Sequence, residues 1–202
     1  MSSLPFTQVD AFADAPFTGN PAAVMPLDAW LDDATLQAIA QENNLSETAF
    51  TVATPDDPEA DFALRWFTPQ VEVKLCGHAT LASGHVLMQG DHVRFRTRHA
   101  GVLTVSRAGE GYALSLPAWT MAPRDLPDLA QGLGGAALES HWRDGGYSLF
   151  LFPDEAAVRA LTPDFAALRA QGDIMLIATA PGADSDIVSR VFVPGGGIDE
   201  DP

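Results

Sequence analysis

The stretch DFALRWFTPQVEVKLCGHATLASGHVLM, residues 61–88, decides the fold. Asp61 to Phe67 is apolar and aromatic enough for a strand and stops at the turn Thr68-Pro69. Gly77 to Met88 carries Ala79, Leu81, Ala82, Val86 and Leu87 with almost no charge, so it reads as a helix buried on most sides. A strand handing over to a buried helix needs sheet around it. The flanks supply it: Phe6 to Phe12, Ala22 to Met25 and Ser46 to Val52 before it, and Val93 to Thr97, Val102 to Arg107 and Tyr112 to Leu116 after it. Asp32 or Asp33 caps a further helix that runs to Asn43, where Asn43-Asn44 suits a C-terminal end.

Outward from there the pattern recurs. Tyr147 to Phe152, Ile174 to Thr179 and Ser189 to Val193 read as strands, with helical stretches at Asp154–Ala160 and Phe165–Gln171. Arg65-Trp66-Phe67-Thr68-Pro69 returns as Arg190-Val191-Phe192-Val193-Pro194, an Arg-x-Phe-x-Pro repeat. Counting equal distances from each arginine sets Asp201 against Cys76. The expected organisation is a first lobe over 1–117, a proline-rich linker over 118–137, and a second lobe over 138–202. An interdomain cleft would then be the natural place for a ligand.

Composition narrows the partners. Twenty-seven acidic against 11 basic residues give a formal charge of −16, so the basic footprint of a nucleic-acid binder is missing. The same sign disfavours an anionic membrane surface. One cysteine allows no internal disulfide, the N-terminus has no secretory pattern, and no apolar run reaches the roughly 20 residues of a membrane span. A cytoplasmic setting is the expectation.

The residues able to carry chemistry are few. Cys76-Gly77-His78 sits at the expected start of the buried helix, where unpaired backbone N–H groups can hold a carboxylate and glycine allows close approach. A tight turn with a satisfied core histidine would look the same. Glu47 precedes an apolar strand; burial would raise its pKa and suit it to proton transfer, but a strand-end acid is equally compatible. Asn20, in Gly19-Asn20-Pro21, is either a ligand contact or an ordinary turn initiator. His78 and His85 share a helical face, yet no acid joins them within the helix, so no metal is expected. No dinucleotide or phosphate fingerprint is present, and no cofactor is expected.

Taken in order, Val9-Asp10-Ala11-Phe12, Phe17-Thr18-Gly19-Asn20-Pro21-Ala22-Ala23-Val24, Asn44-Leu45-Ser46-Glu47-Thr48-Ala49-Phe50, the stretch around Arg65, Leu75-Cys76-Gly77-His78-Ala79-Thr80 and Gly197-Ile198-Asp199-Glu200-Asp201-Pro202 resemble the PhzF-like phenazine-biosynthesis family. That family is related in fold to diaminopimelate epimerase and proline racemase. The resemblance implies an α/β (α+β) fold of two pseudo-symmetric lobes, each a curved sheet around a central helix, and cofactor-free isomerisation of a small carboxylated substrate. It implies Glu47 as the acid–base residue, His78 and Asp201 as active-site residues, Asn20, Gly77 and Cys76 as substrate contacts, and a homodimer. The related epimerases use two opposed cysteines. With Cys76 alone, and Asp201 counted to its partner position, that mechanism is not expected. The family continues after Glu-Asp-Pro with a second central helix, whereas this sequence stops at Pro202; the expectation is an incomplete second lobe and weak catalysis by the 202 residues alone. Two rivals stay open: a non-catalytic small-molecule-binding or interaction protein on the same fold, and a thiol enzyme with Cys76 as nucleophile and His78 as base.

Overall fold

The computed structural model describes residues 3–15 and 17–201. Pro202, the last residue of the stretch that carries the resemblance, and the first two residues lie outside them. The chain divides at Ala118/Trp119 into two compact units.

In the first unit β1 (Thr7–Ala11), β2 (Asn20–Leu27), α1 (Asp33–Asn43), β3 (Glu47–Ala53), β4 (Phe62–Phe67), β5 (Glu72–Val73), α2 (Gly77–Leu87), β6 (His92–Thr97), β7 (Val102–Ala108) and β8 (Gly111–Ser115) follow one another. They build one curled sheet in the order β1-β2-β3-β4-β6-β7-β8, with β5 on β4. The parallel pair β2–β3 is bridged by α1, as a parallel connection requires. The Asp32 side chain accepts from the Thr35 amide at the start of α1, and Asn44 closes its end in the left-handed region at φ 51°, both as the sequence indicates. The sheet buries its two faces separately. On one face Val24, Ala49, Trp66, Phe95 and Val105 pack with Ala79 and Ala82 of α2. On the other, Met25, Phe50 and Phe67 pack with Leu36 and Ala40 of α1. Buried Thr80 and Ser83 are accommodated in α2 because their hydroxyls donate to the carbonyls one turn back, of Cys76 and Ala79.

The second unit contains β9 (Ala122–Pro123), α3 (Pro127–Leu133), β10 (Glu139–Arg143), β11 (Tyr147–Leu151), α4 (Glu155–Arg159), α5 (Phe165–Arg169), β12 (Met175–Pro181), β13 (Ile187–Val193) and β14 (Ile198–Asp201). Its sheet runs β14-β13-β12-β11-β10-β9, and the helices bury Leu129, Leu133, Val158 and Leu168 against Phe150, Leu176 and Phe192. The expected linker over 118–137 is therefore a structured part of this unit. Pro127 opens α3, where a missing N–H costs nothing, and Gly134 closes it at φ 78°.

The two sheets repeat one register. Val24 pairs with Ala49, Ala49 with Trp66 and Trp66 with Val73; Leu149 pairs with Ile177, Ile177 with Val191 and Val191 with Asp201. The arginine repeat has a physical reason. Arg65 forks onto Glu72 at 2.8 Å and lies over Phe67, and Arg190 forks onto Glu200 at 2.7 and 2.8 Å and lies over Phe192. A guanidinium that is buried, as in Arg65, or half-buried, as in Arg190, needs such a bidentate partner. Glu72 lies seven residues after Arg65, but Glu200 lies ten after Arg190. Equal counting is thus off by three: Asp201 corresponds to Val73 and not to Cys76.

Candidate functional site

The site assembles from the ends of three elements in the first unit. Asn20 is the first residue of β2, Glu47 the first of β3, and His78 the second of α2, with Cys76 as the residue that precedes the helix. All four side chains are buried. Parallel pairing sets Glu47 level with Ala22, two residues into β2, and the apolar packing of α2 onto the sheet holds its N-terminal turn against both strands.

His78 is the hub. Its Nε2 lies 3.1 Å from Glu47 Oε2, while its Nδ1 lies 3.3 Å from Asn20 Nδ2 and 3.5 Å from Cys76 Sγ. An amide NH₂ donates and cannot accept, so with Asn20 in this orientation Nδ1 is the acceptor and the ring proton sits on Nε2, facing the carboxylate. The 3.1 Å approach is close but out of line. Neither Glu47 Oε2 nor His78 Nε2 makes a hydrogen bond among the described residues. Leaving one buried polar atom unbonded costs about 1–3 kcal/mol, and here two stand side by side.

Gly77 begins α2 with a backbone N–H that has no partner within the helix. A Cβ added at Gly77 would meet nothing within 4 Å. The helix start is therefore approachable, and it has no acid in its first turn to neutralise it.

Glu47, Cys76 and His78 present donor atoms that all lie within 4.8 Å of one another. The imidazole stands between the other two, one nitrogen toward the carboxylate and one toward the thiol. An ion held at about 2.0–2.3 Å would take only one of those nitrogens and would break the other contact. The arrangement serves proton transfer better than metal ligation.

Four of the residues expected from the sequence, Asn20, Glu47, Cys76 and His78, come together, and Gly77 adjoins them. Asp201 belongs to the second unit, at the end of β14 beside Val191. Since it corresponds to Val73, it does not occupy the repeat position of Cys76 and says nothing of whether a second thiol stands there. Position by position, Met175 is the second unit's counterpart of Glu47. What sequence reading missed is that Asn20 touches His78; fifty-eight residues separate them, and only the parallel β2–β3 pairing under α2 brings them together.

Comparison with known proteins agrees with this layout. The profile of the phenazine biosynthesis-like protein family (PhzC-PhzF) matches residues 9–202. An uncharacterized isomerase of Pseudomonas aeruginosa is 51% identical over 201 residues, covering 96% of this chain and 75% of that protein. The crystal structure of a PhzF-family phenazine biosynthesis protein from Enterococcus faecalis superposes with a TM-score of 0.84 at 43% identity, covering 100% of this chain and 77% of that one. A hydroxyproline epimerase from Agrobacterium vitis shares the fold, with a TM-score of 0.57 at 11% identity over 98% of this chain and 72% of that one.

Proposed function

The chain belongs to the phenazine biosynthesis-like (PhzC-PhzF) family, and from that premise we propose that it is a cofactor-independent isomerase that relocates a proton on a small carboxylated substrate, with Glu47 as acid and base. The observation that carries this reading is the buried pair of Glu47 and His78, with Oε2 and Nε2 3.1 Å apart beside the start of α2. A carboxylate oxygen beside an imidazole N–H, at the start of a strand and next to an approachable helix N-terminus, is placed to exchange a proton with a bound carboxylated ligand.

The step needs no redox partner. Glu47 takes a proton from a carbon beside a carboxyl or unsaturated centre, the electron pair moves into the adjoining π system, and the carboxylic acid returns the proton to another carbon on the same face. The Nε2–H of His78 supports the negative charge that develops, and the N–H groups at the start of α2 hold the substrate carboxylate. Asp201 is assigned to substrate orientation on the family resemblance alone. No helix among the described residues is long and apolar enough to cross a membrane; the reading places the protein in the cytoplasm, as a homodimer, on small molecules and not on nucleic acid.

The test is proton exchange. In heavy water the protein should incorporate deuterium into members of a panel of small unsaturated carboxylates, read by mass spectrometry. Glu47→Gln keeps the shape and should lower exchange at least about a hundredfold, the scale of general acid–base catalysis. Undiminished exchange in that variant removes Glu47 from the mechanism. Because Cys76 Sγ also approaches His78, a thiol mechanism is the alternative, and Cys76→Ala separates them: it should keep exchange within a few fold, and loss comparable to that of Glu47→Gln would favour the thiol.

A further inference from the structure

In the second unit one arginine lies between two aromatic rings and, among the described residues, holds no carboxylate. Arg143 ends β10, and its guanidinium lies 3.9 Å over the Trp119 ring and 5.6 Å from Tyr147. The two rings meet edge-on at 4.8 Å. Seven other arginines each hold a carboxylate within 4.0 Å. Arg107, Arg124 and Arg143 hold none among the described residues; Arg107 donates to the Gly90 carbonyl and Arg124 lies over the single ring of Trp142, whereas Arg143 faces two rings.

The register shows where this cluster sits. Arg143 pairs with Tyr147, and Tyr147 with Met175. In the first unit the corresponding row is Val9, Ala22 and Glu47. Arg143 therefore stands on the face of its sheet that corresponds to the Glu47 face, opposite the core that buries Phe150 and Leu176. With Met175 in place of Glu47, that row carries no carboxylate, and its charged group is the Arg143 guanidinium.

We propose that Arg143, Trp119 and Tyr147 form a binding subsite for a planar, unsaturated or aromatic carboxylate. Stacking on Trp119 fixes the guanidinium plane, so its N–H donors project sideways as a preformed fork for a carboxylate. Trp119, 40% exposed, offers indole surface beside the fork, against which a flat ligand packs better than a puckered one. This subsite rests on the second unit's own geometry and not on the assignment of Glu47.

Benzoate is the probe, with cyclohexanecarboxylate as its puckered counterpart, followed by calorimetry on the full chain. Benzoate should bind saturably and several-fold more tightly than cyclohexanecarboxylate. Arg143→Gln should weaken benzoate about tenfold or more, the scale of a charged hydrogen-bond pair, with an unchanged thermal midpoint. Arg143→Lys should recover only part, since an ammonium cannot present the fork. Trp119→Leu should abolish the preference for the flat acid. The proposal is overturned if benzoate does not bind, if it binds Arg143→Gln as it binds the wild type, or if Gly77→Val in the first unit removes binding that Arg143→Gln leaves intact. Should Arg143→Gln unfold, the loss of flat-over-puckered preference in Trp119→Leu decides alone.

Discussion

Asn20 touches no atom that the proposed reaction moves, yet it decides which nitrogen of His78 carries the proton. Its Nδ2 lies 3.3 Å from Nδ1, which makes Nδ1 an acceptor and leaves Nε2–H toward Glu47. Asn20→Asp exchanges that donor for an acceptor. Nδ1 then takes the proton, and Nε2–H persists only in the imidazolium. The variant should therefore exchange deuterium about tenfold or more slowly than the wild type at neutral pH, while Asn20→Gln, which keeps the amide donor, recovers part of the loss. Undiminished exchange in Asn20→Asp would mean that Asn20 does not set the tautomer. At this scale Glu47 and Cys76-Gly77-His78 were legible because family motifs carry them. The Asn20–His78 contact was not, because a letter pattern holds no distance. Asp201 shows the complementary failure. Its pairing with Cys76 came from counting along the chain, and three extra residues between Arg190 and Glu200 shift the count without leaving any mark in the repeat itself.

Among the elements, α2 joins core to site, and its two glycines separate these duties. A Cβ at Gly84 would come 2.6 Å from Val105 Cγ1 and 2.8 Å from Val105 Cβ, and Val105 is itself fully buried. Alanine favours a helix over glycine by about 1 kcal/mol, but overpacking a rigid core costs about 1–3 kcal/mol. Gly84→Ala should therefore lower the denaturation midpoint, and a raised midpoint would show that α2 shifts off β7 freely. Gly77→Ala meets no such neighbour. It should leave stability unchanged or slightly raised while weakening carboxylate binding in the first unit; unchanged binding would show that no ligand reaches the start of α2. The connection between β3 and β4 makes a different prediction. Asp57 accepts from Arg96 and from the Glu59 amide, and the Arg96 bond above all holds its carboxyl down from 3.8 to about 2. A folded pKa below the unfolded one means that this contribution is complete above about pH 4 and fades as pH falls toward 2. Arg96 is 40% exposed, so the effect is small and screened by salt. Asp57→Asn should flatten the fall of the thermal midpoint between pH 4 and 2, and an unaltered slope would place acid sensitivity elsewhere. Helices α1 and α2 were legible through caps and apolar spacing. Helix α3 was not: Pro117, Pro123 and Pro127 read as a linker, although Pro127 at the start, Leu129 and Leu133 one turn apart, and Gly134 at the end are the marks of a short helix.

Across the whole molecule one register is used twice with different consequences. Ala49 and Ile177 hold the same place in their sheets, each between the counterparts Val24 and Trp66 or Leu149 and Val191. Ala49 is fully buried under α2. Ile177, Leu149 and Val191 are half-buried and point away from the core formed with α3, α4 and α5. Among the described residues of the second unit, no helix covers that face. The repeat was visible in the sequence as Arg-x-Phe-x-Pro, because a guanidinium fork and a ring beneath it demand fixed residue types. The different use of the two faces was not visible, since Ile177 and Leu149 are as apolar as the core positions they mirror. Lysine at each site measures the difference. Ala49→Lys buries an unpaired charge in a packed core and should unfold the first unit, at a cost beyond about 4 kcal/mol. Ile177→Lys can lay its methylenes on the sheet and keep its ammonium in water, at a cost of about 1 kcal/mol. The same change should lower the binding of a hydrophobic dye that the wild type takes up on this face. Denaturant titration of both variants, with the dye measured alongside, separates the cases: equal destabilisation would mean that the second sheet buries this face as completely as the first.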